Sequence, residues 1–158
     1  MDVFDEQLLD FWGKLNHYGV KYLMVGGLAT RFHGYNRITD DLDLWLDDNL
    51  ENRQKLRKAF ADLGYGDYVS LETMQFVPGW TSFCAAGIEL DIMTNMKGLE
   101  GESFESCYQQ AKIFDIGPHK VPFIHLNHLI SNKKAVNRPK DQIDVMHLEE
   151  IKRILEKG

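Results

Sequence analysis

The sequence has little cysteine, no excess of positive charge and no long apolar run. Its two cysteines, Cys84 and Cys107, make neither a metal-ligand cluster nor a disulfide framework, so reduced thiols of a cytosolic protein are expected. A formal net charge of −6 excludes a protein whose main task is coating nucleic acid, while leaving room for a local basic patch. No apolar run approaches the ~20 residues that span a bilayer, so no membrane association is expected. Residues Met1–Glu6 are acidic and lack the basic-then-apolar order of a signal peptide, which predicts a cytoplasmic location. Internal repeats, low-complexity tracts and long linkers are missing too. What remains is ordinary globular material: 44% hydrophobic and 11% aromatic over 158 residues, enough for about one domain with a substantial core. Residues 1–158 are read as that domain, with a core over about 1–95 and a helical, basic segment over about 100–158.

One stretch carries chemistry. Tyr22 to Val25 is an apolar run suited to a buried strand, and Gly26-Gly27 stops it. Paired glycines let the backbone turn sharply and leave no Cβ in a ligand's way. Leu28 to His33 then suits a short helix with Gly34 after its end. Backbone N–H groups at such a helix start favour an anion. Asp41 to Leu46 alternates, placing Leu42, Leu44 and Leu46 on one face and Asp41, Asp43 and Trp45 on the other. Two carboxylates on one side of a strand repel unless a proton or cation joins them, and Mg²⁺ typically takes a few carboxylates plus substrate phosphate. A phosphate cradle beside a metal cradle equips a protein for phosphoryl-group chemistry.

The flanking elements read as scaffold. Asp5 to Tyr18 is a predicted helix with Phe4, Leu8, Phe11, Trp12 and Leu15 on its buried stripe. Leu50 to Leu63 is another, capped by Asn49, burying Leu56, Ala59, Phe60 and Leu63, with Arg53, Lys55, Arg57 and Lys58 on a solvated face. Tyr65 to Trp80 reads as irregular, with a short helix over 71–75 or an irregular strand. Trp80 to Cys84 and Ile88 to Met93 are predicted strands around a turn at Ala85-Ala86-Gly87. In the second, Glu89 and Asp91 share the polar face. Antiparallel neighbours lie about 4.8 Å apart, so this strand beside Asp41–Asp43 would bring a third acid to them. Phe104 to Lys112 reads as a helix with Phe104, Tyr108 and Ala111 inward, and Lys120 to Ile124 as a short strand or edge segment because Pro122 lacks a donor. Asn127 is a candidate cap for the next helix. Lys133, Lys134, Arg138 and Lys140 then form a positive run without acids among them, a candidate anion site. The last helix, about Gln142 to Glu156, is expected to pack through Ile143, Met146 and Ile151, with Asp141 and Asp144 structural.

The order Gly-Gly-x-Ala-x-x-x-His-Gly-x-x-Arg-x-Thr-x-Asp-x-Asp-Leu, together with Ile-Glu-Leu-Asp-Ile-Met and Leu-Ile-x-x-Lys…Arg-Pro-Lys-Asp-x-x-Asp, resembles the DNA polymerase β-like nucleotidyltransferase superfamily. The small bacterial single-domain members, a group that includes the toxins of abortive-infection systems, are most similar. The resemblance implies an α/β (α+β type) fold, a small mixed sheet flanked by helices. It implies transfer of a nucleoside monophosphate from a nucleoside triphosphate to an acceptor hydroxyl or phosphate, with release of pyrophosphate. By position, Asp41, Asp43 and Asp91 would be catalytic and hold Mg²⁺ or Mn²⁺. Gly26, Gly27, Leu28, Ala29, Arg37, Thr39, Lys133 and Arg138 would bind nucleotide. Leu28 stands where many members have serine and offers only its N–H. His33 matches the pattern but is equally a structural hydrogen-bonding residue, and Glu89 is read as solvated. The acceptor is a small molecule or an RNA end, and a homodimer or antitoxin partner would complete its pocket. Two other readings are a toxin acting on transfer RNA and a non-catalytic nucleotide-binding regulatory module.

Overall fold

The computed structural model of the chain describes residues 1–79 and 81–158. The chain runs α1 (Glu6–His17), β1 (Tyr22–Val25), α2 (Gly26–Phe32), β2 (Leu42–Leu46), α3 (Leu50–Asp62), a 3₁₀ turn (Val69–Glu72), β3 (Ser82–Ala85), β4 (Ile88–Met93), α4 (Phe104–Gln109), β5 (Lys112–Ile116), β6 (His119–Phe123), α5 (Leu126–Val136) and α6 (Pro139–Lys157). Among the described residues the strands form one mixed sheet in the order β3-β4-β2-β1-β6-β5, with helices packed on it. The fold is therefore of the α+β type. The expected strand start at Trp80 lies outside the described residues.

β1 is the sheet's centre because all four of its residues are apolar and buried. It pairs antiparallel with β2 and parallel with β6. α1 closes one side, burying Leu8, Phe11, Trp12 and Leu15, with Asp5 accepting the Gln7 N–H as its cap. Phe4, expected on that stripe, precedes the helix and is 62% exposed.

β4 pairs with β2 in parallel, not antiparallel. A parallel neighbour needs a long crossover, and α3 with the segment after it supplies one. The tight turn, at Ala86-Gly87 with φ of 55° and 75°, instead joins β4 to the outer strand β3. Arg53 and Arg57 of α3 are not a purely solvated face. Arg53 donates to the carbonyls of Leu71 and Met74 and lies over the Phe76 ring, and Arg57 pairs with Asp67 and Glu72. These two side chains tie the irregular segment, with its single 3₁₀ turn, down to the helix.

The segment from residue 100 onward, expected as helical and basic, also supplies the β5–β6 hairpin. The short strand expected near 120–124 forms as β6, but not at an edge: it lies between β1 and β5. Its ladder to β1 begins at Phe123, beyond Pro122, with the Ile124 N–H donating to the Met24 carbonyl, so the missing proline donor costs that ladder nothing. His125, not Asn127, caps α5, its side chain accepting the Asn127 N–H. α6 begins at Pro139, earlier than its apolar pattern suggests, and the face it buries is Asp141, Asp144 and Leu148. Ile143 and Met146, expected to pack, are 51% and 71% exposed. Ion pairs, described next, fix the helix's rotation and turn those two outward.

Candidate active site

The site is built at the end of β1. Gly26 has φ of 68°, a conformation that costs glycine little, and the Asp43 side chain lies so close that any Cβ at Gly26 would overlap its carboxylate. Gly27 is roofed in the same way: a Cβ there would stand 2.8 Å from Thr39 Oγ1 and 2.9 Å from Arg37 Nη2. Both glycines are thus required by close approach. α2 begins at Gly26, two residues earlier than expected, and no side chain caps it. The Thr30 hydroxyl holds this turn by donating to the Gly26 carbonyl.

The carboxylates come from adjacent strands. In the β2–β4 register Asp43 stands opposite Asp91, and Asp41 precedes β2 at the exposed rim. Burial, followed by the charges of Asp91 and Asp41, pushes the Asp43 carboxyl up to about 6; Lys133 and Lys140 pull the other way. Burial also raises Asp91, against the Gly79 N–H, which donates to its Oδ2 at 3.0 Å, and with Glu89 and Asp41 adding like charge. Oδ1 of Asp91 is buried without a hydrogen-bond partner. These groups line one cavity of about 520 Å³ together with Gly26, Gly27, Arg37, Thr39, Lys133 and Arg138. Glu89, read as solvated, lines it as well.

Of the expected nucleotide-binding residues, Leu28 and Ala29 do not line the cavity; their side chains are buried in the core. His33 faces away, its Nε2 sharing a 2.7 Å hydrogen bond with the Ile124 carbonyl and its ring set edge-on to Phe114. The cavity wall over Asn95–Lys97 and Asn132 was not anticipated, because a loop without a motif gives no sequence signal.

The cationic wall is an ion network centred on buried Lys133, Asp141 and Asp144, with Arg138 half-exposed at its rim. Lys133, 4% exposed, pairs with Asp144 at 2.9 Å and Asp141 at 3.5 Å. Arg37 pairs with Asp144 at 3.0 Å, and Arg138 with Asp141 at 2.6 Å. Burial alone would raise the Asp141 carboxyl, but hydrogen bonds from Arg138 and the charge of Lys133 hold it below the usual carboxylate range. Asp144 thereby joins residues 37 and 133, a link sequence reasoning missed. The available signal was the i, i+3 spacing of Asp141 and Asp144, which puts two acids on one face of a helix directly after three of the four basic residues.

Comparison with known proteins bears on the family and the fold. The profile of a family described as "Nucleotidyl transferase of unknown function (DUF2204)" matches residues 5–158. No curated protein matches the sequence. Among solved structures, TM1012 of Thermotoga maritima, described as a nucleotidyltransferase, is 17% identical with a TM-score of 0.56, over 96% of this chain and 91% of that one. The lincosamide antibiotic adenylyltransferase LnuA, solved with lincomycin bound, is 17% identical with a TM-score of 0.59, over 93% and 97%. ANT(2")-Ia, in complex with adenylyl-2"-tobramycin, is 17% identical with a TM-score of 0.57, over 92% and 90%. The three share the fold of this chain.

Proposed function

The chain belongs to the family described as nucleotidyl transferase of unknown function, and from that premise we propose that it moves a nucleoside monophosphate from a nucleoside triphosphate to a hydroxyl of a small-molecule acceptor. The observation that carries this is the contact of the glycine turn with the paired acids: Gly26 is pressed against Asp43, which stands in register with Asp91. The donor set fits a hard divalent cation, being all oxygen and including a buried Asp91 oxygen without a partner. Asp41, Asp43 and Asp91 would hold Mg²⁺ or Mn²⁺, which when bound supplies charge neutralisation for the triphosphate and the acceptor oxygen.

The chain's own groups divide the remaining work. Gly26 and Gly27 leave room for phosphate oxygens to approach the backbone. Asp91 orients the acceptor hydroxyl and takes up its proton as the new O–P bond forms and the α–β phosphoanhydride breaks. Lys133, Arg37 and Arg138 face the leaving pyrophosphate, where charge develops. Thr39 fixes the loop over the second glycine.

A small acceptor is favoured over an RNA end by the basic run itself. Of that run Lys133, Lys134 and Arg138 are each paired with an acid, Asp144, Glu149 and Asp141 respectively, which leaves Lys140 alone unpaired among the described residues, too little for the open basic track that RNA binding favours. The antibiotic-binding neighbours support the same choice. Residues 1–158 act as one domain, in the cytoplasm where nucleoside triphosphates are available. The test is incubation with each labelled triphosphate and Mg²⁺ or Mn²⁺ against pooled hydroxyl-bearing small molecules and, separately, total RNA. Label should move to a small molecule and not in Asp43→Asn. Transfer to RNA alone would overturn the acceptor assignment, and no transfer to either pool the whole reading.

A further inference from the structure

Outside the cavity lining lies a second cluster of ligating side chains. Glu102, at the end of the loop after β4, Cys107 of α4 and His128 of α5 each offer one ligand atom, and these atoms all lie within 4.8 Å of one another. Cys107 is wholly buried, and Nδ1 of His128 is buried with no hydrogen-bond partner. Among the described residues no hydrogen bond joins the three groups, so they converge without satisfying each other. The Glu102 carboxylate is held by the Ser106 hydroxyl, which donates to its Oε2 at 2.7 Å. We propose that Glu102, Cys107 and His128 form a transition-metal site for Zn²⁺, separate from the acidic site in the cavity.

The chemistry of the donors sets the ion. A thiolate and an imidazole select zinc over magnesium, and a carboxylate as third ligand is common in zinc sites. With Zn–S about 2.3 Å and Zn–N or Zn–O about 2.0–2.2 Å, tetrahedral ligand atoms stand roughly 3.3–3.6 Å apart. An inward movement of about an ångström or less therefore closes the cluster around an ion, with water in the fourth position. The Ser106–Glu102 hydrogen bond is the kind of outer contact that orients a ligating carboxylate.

The location gives the site its role. The loop from Thr94 to Ser103 lies on α5, with Asn132 donating to the Lys97 carbonyl at 2.9 Å and Gly98 set so tightly against Ser131 and Ala135 that a Cβ would clash. His128, Ser131, Asn132 and Ala135 recur along one face of α5. A zinc ion there staples the loop and α4 to the helix that carries Lys133, and so fixes the wall formed by Asn95, Met96 and Lys97.

The test uses the full chain and Co²⁺ as a spectroscopic substitute for Zn²⁺. Titration should give a thiolate-to-cobalt charge-transfer band saturating at one ion per chain and bleached by Zn²⁺. Cys107→Ser and His128→Gln should lose the band. Ser106→Ala, which removes only the outer contact, should bind about tenfold more weakly. Cys84→Ser and Asp43→Asn should keep it, separating this site from the exposed thiol and from the acidic cavity, and excess Mg²⁺ should not displace the ion. Zn²⁺ should raise the melting temperature of the wild type and not of His128→Gln. Should Cys107→Ser fail to fold, His128→Gln and Ser106→Ala decide. No band at stoichiometric Co²⁺, or a wild-type band in both of those variants, overturns the proposal whatever the outcome for nucleotidyl transfer.

Discussion

Asp43 is held between carboxylates of its own sign and against a glycine whose missing Cβ makes room for its carboxylate. Its raised carboxyl, at about 6 against an ordinary 3.8, has a definite sign for stability. A group whose folded pKa lies above its unfolded one contributes stability that is complete below the unfolded value and lost as pH rises through the folded one. In the metal-free protein, Asp43 therefore withdraws up to about 3 kcal/mol between pH 4 and pH 7. Asp43→Asn should abolish transfer, be more stable than the wild type at pH 7, and lose that advantage near pH 4. Chemical denaturation at the two pH values measures it; a variant less stable at pH 7 would make Asp43 a structural acid. Asp91 differs in kind. If it takes up the acceptor's proton, Asp91→Asn should lower the single-turnover rate by orders of magnitude with little change in triphosphate Kd. At this scale the sequence was most legible where a residue's type limits where it can sit. The glycine pair and the acids at 41 and 43 were readable from spacing and alternation; alternation left Glu89 and Asp91 level, the resemblance chose Asp91, and all six line the cavity. Asp144 was not, because its importance lies in which distant residues it meets, and an aspartate on a helix looks the same whether it faces water or Lys133.

The helices α5 and α6 are joined by ion pairs from Lys133 to Asp141 and Asp144 and from Lys134 to Glu149, and that decides what their sequences could reveal. An amphipathic reading of α6 chose Ile143, Met146 and Ile151 as the packed face; of these only Ile151 packs on the core, and the buried positions are Asp141, Asp144 and Leu148. Proline at the first helical position and the pairs to Lys133, Arg37 and Arg138 set the start and rotation of the helix, overriding its apolar stripe. The hairpin of β5 and β6 was half missed for a similar reason. Pro122 suggested an edge, and only the tertiary pairing tells that its ladder to β1 begins one residue later. Removing one partner of a buried pair leaves a charge without compensation, a loss of about 3–5 kcal/mol. Asp144→Asn should fall near the lower end, since Asp141 still faces Lys133 at 3.5 Å, and because Asp144 sets the positions of both Arg37 and Lys133, triphosphate binding should weaken even though their charge is freed. Adding Lys133→Met should restore part of the stability but none of the binding. A double-mutant cycle with a coupling near zero would show that the two side chains do not act as a pair.

At the level of the whole molecule, the sheet order brings the first strand's glycine turn, the acids of β2 and β4 and the cations of α5 and α6 to one cavity. The motifs foretold these as separate stretches, but the parallel placing of β4 beside β2 came only from the crossover through α3. The charge balance of the assembled site then governs how it meets its substrate. The chain carries a formal net charge of −6, and its cavity adds Asp41, Asp43, Glu89 and Asp91 on one wall. On the other wall the charge of Lys133, Arg37 and Arg138 is already shared with Asp141 and Asp144, which leaves Lys97 and Lys140 as the lining cations without an acid partner among the described residues. A bare triphosphate therefore meets repulsion that these cations offset only in part, and a bare divalent ion meets three acids without the phosphate oxygens that complete its shell. Together, each supplies what the other lacks. A ligand that binds only the folded state raises stability by RT ln(1 + L/Kd), where L is the free ligand concentration, or about 2.7 kcal/mol at a hundredfold excess over Kd. Mg²⁺ and the preferred triphosphate should accordingly raise the melting temperature together by more than the sum of their separate shifts, and Asp43→Asn should remove the excess. Melting curves with each triphosphate, in Mg²⁺ and in chelator, make the comparison. Equal shifts in the two conditions would mean that the acids do not bridge to phosphate through a cation, and that the triphosphate is held by the Lys133 side of the cavity alone.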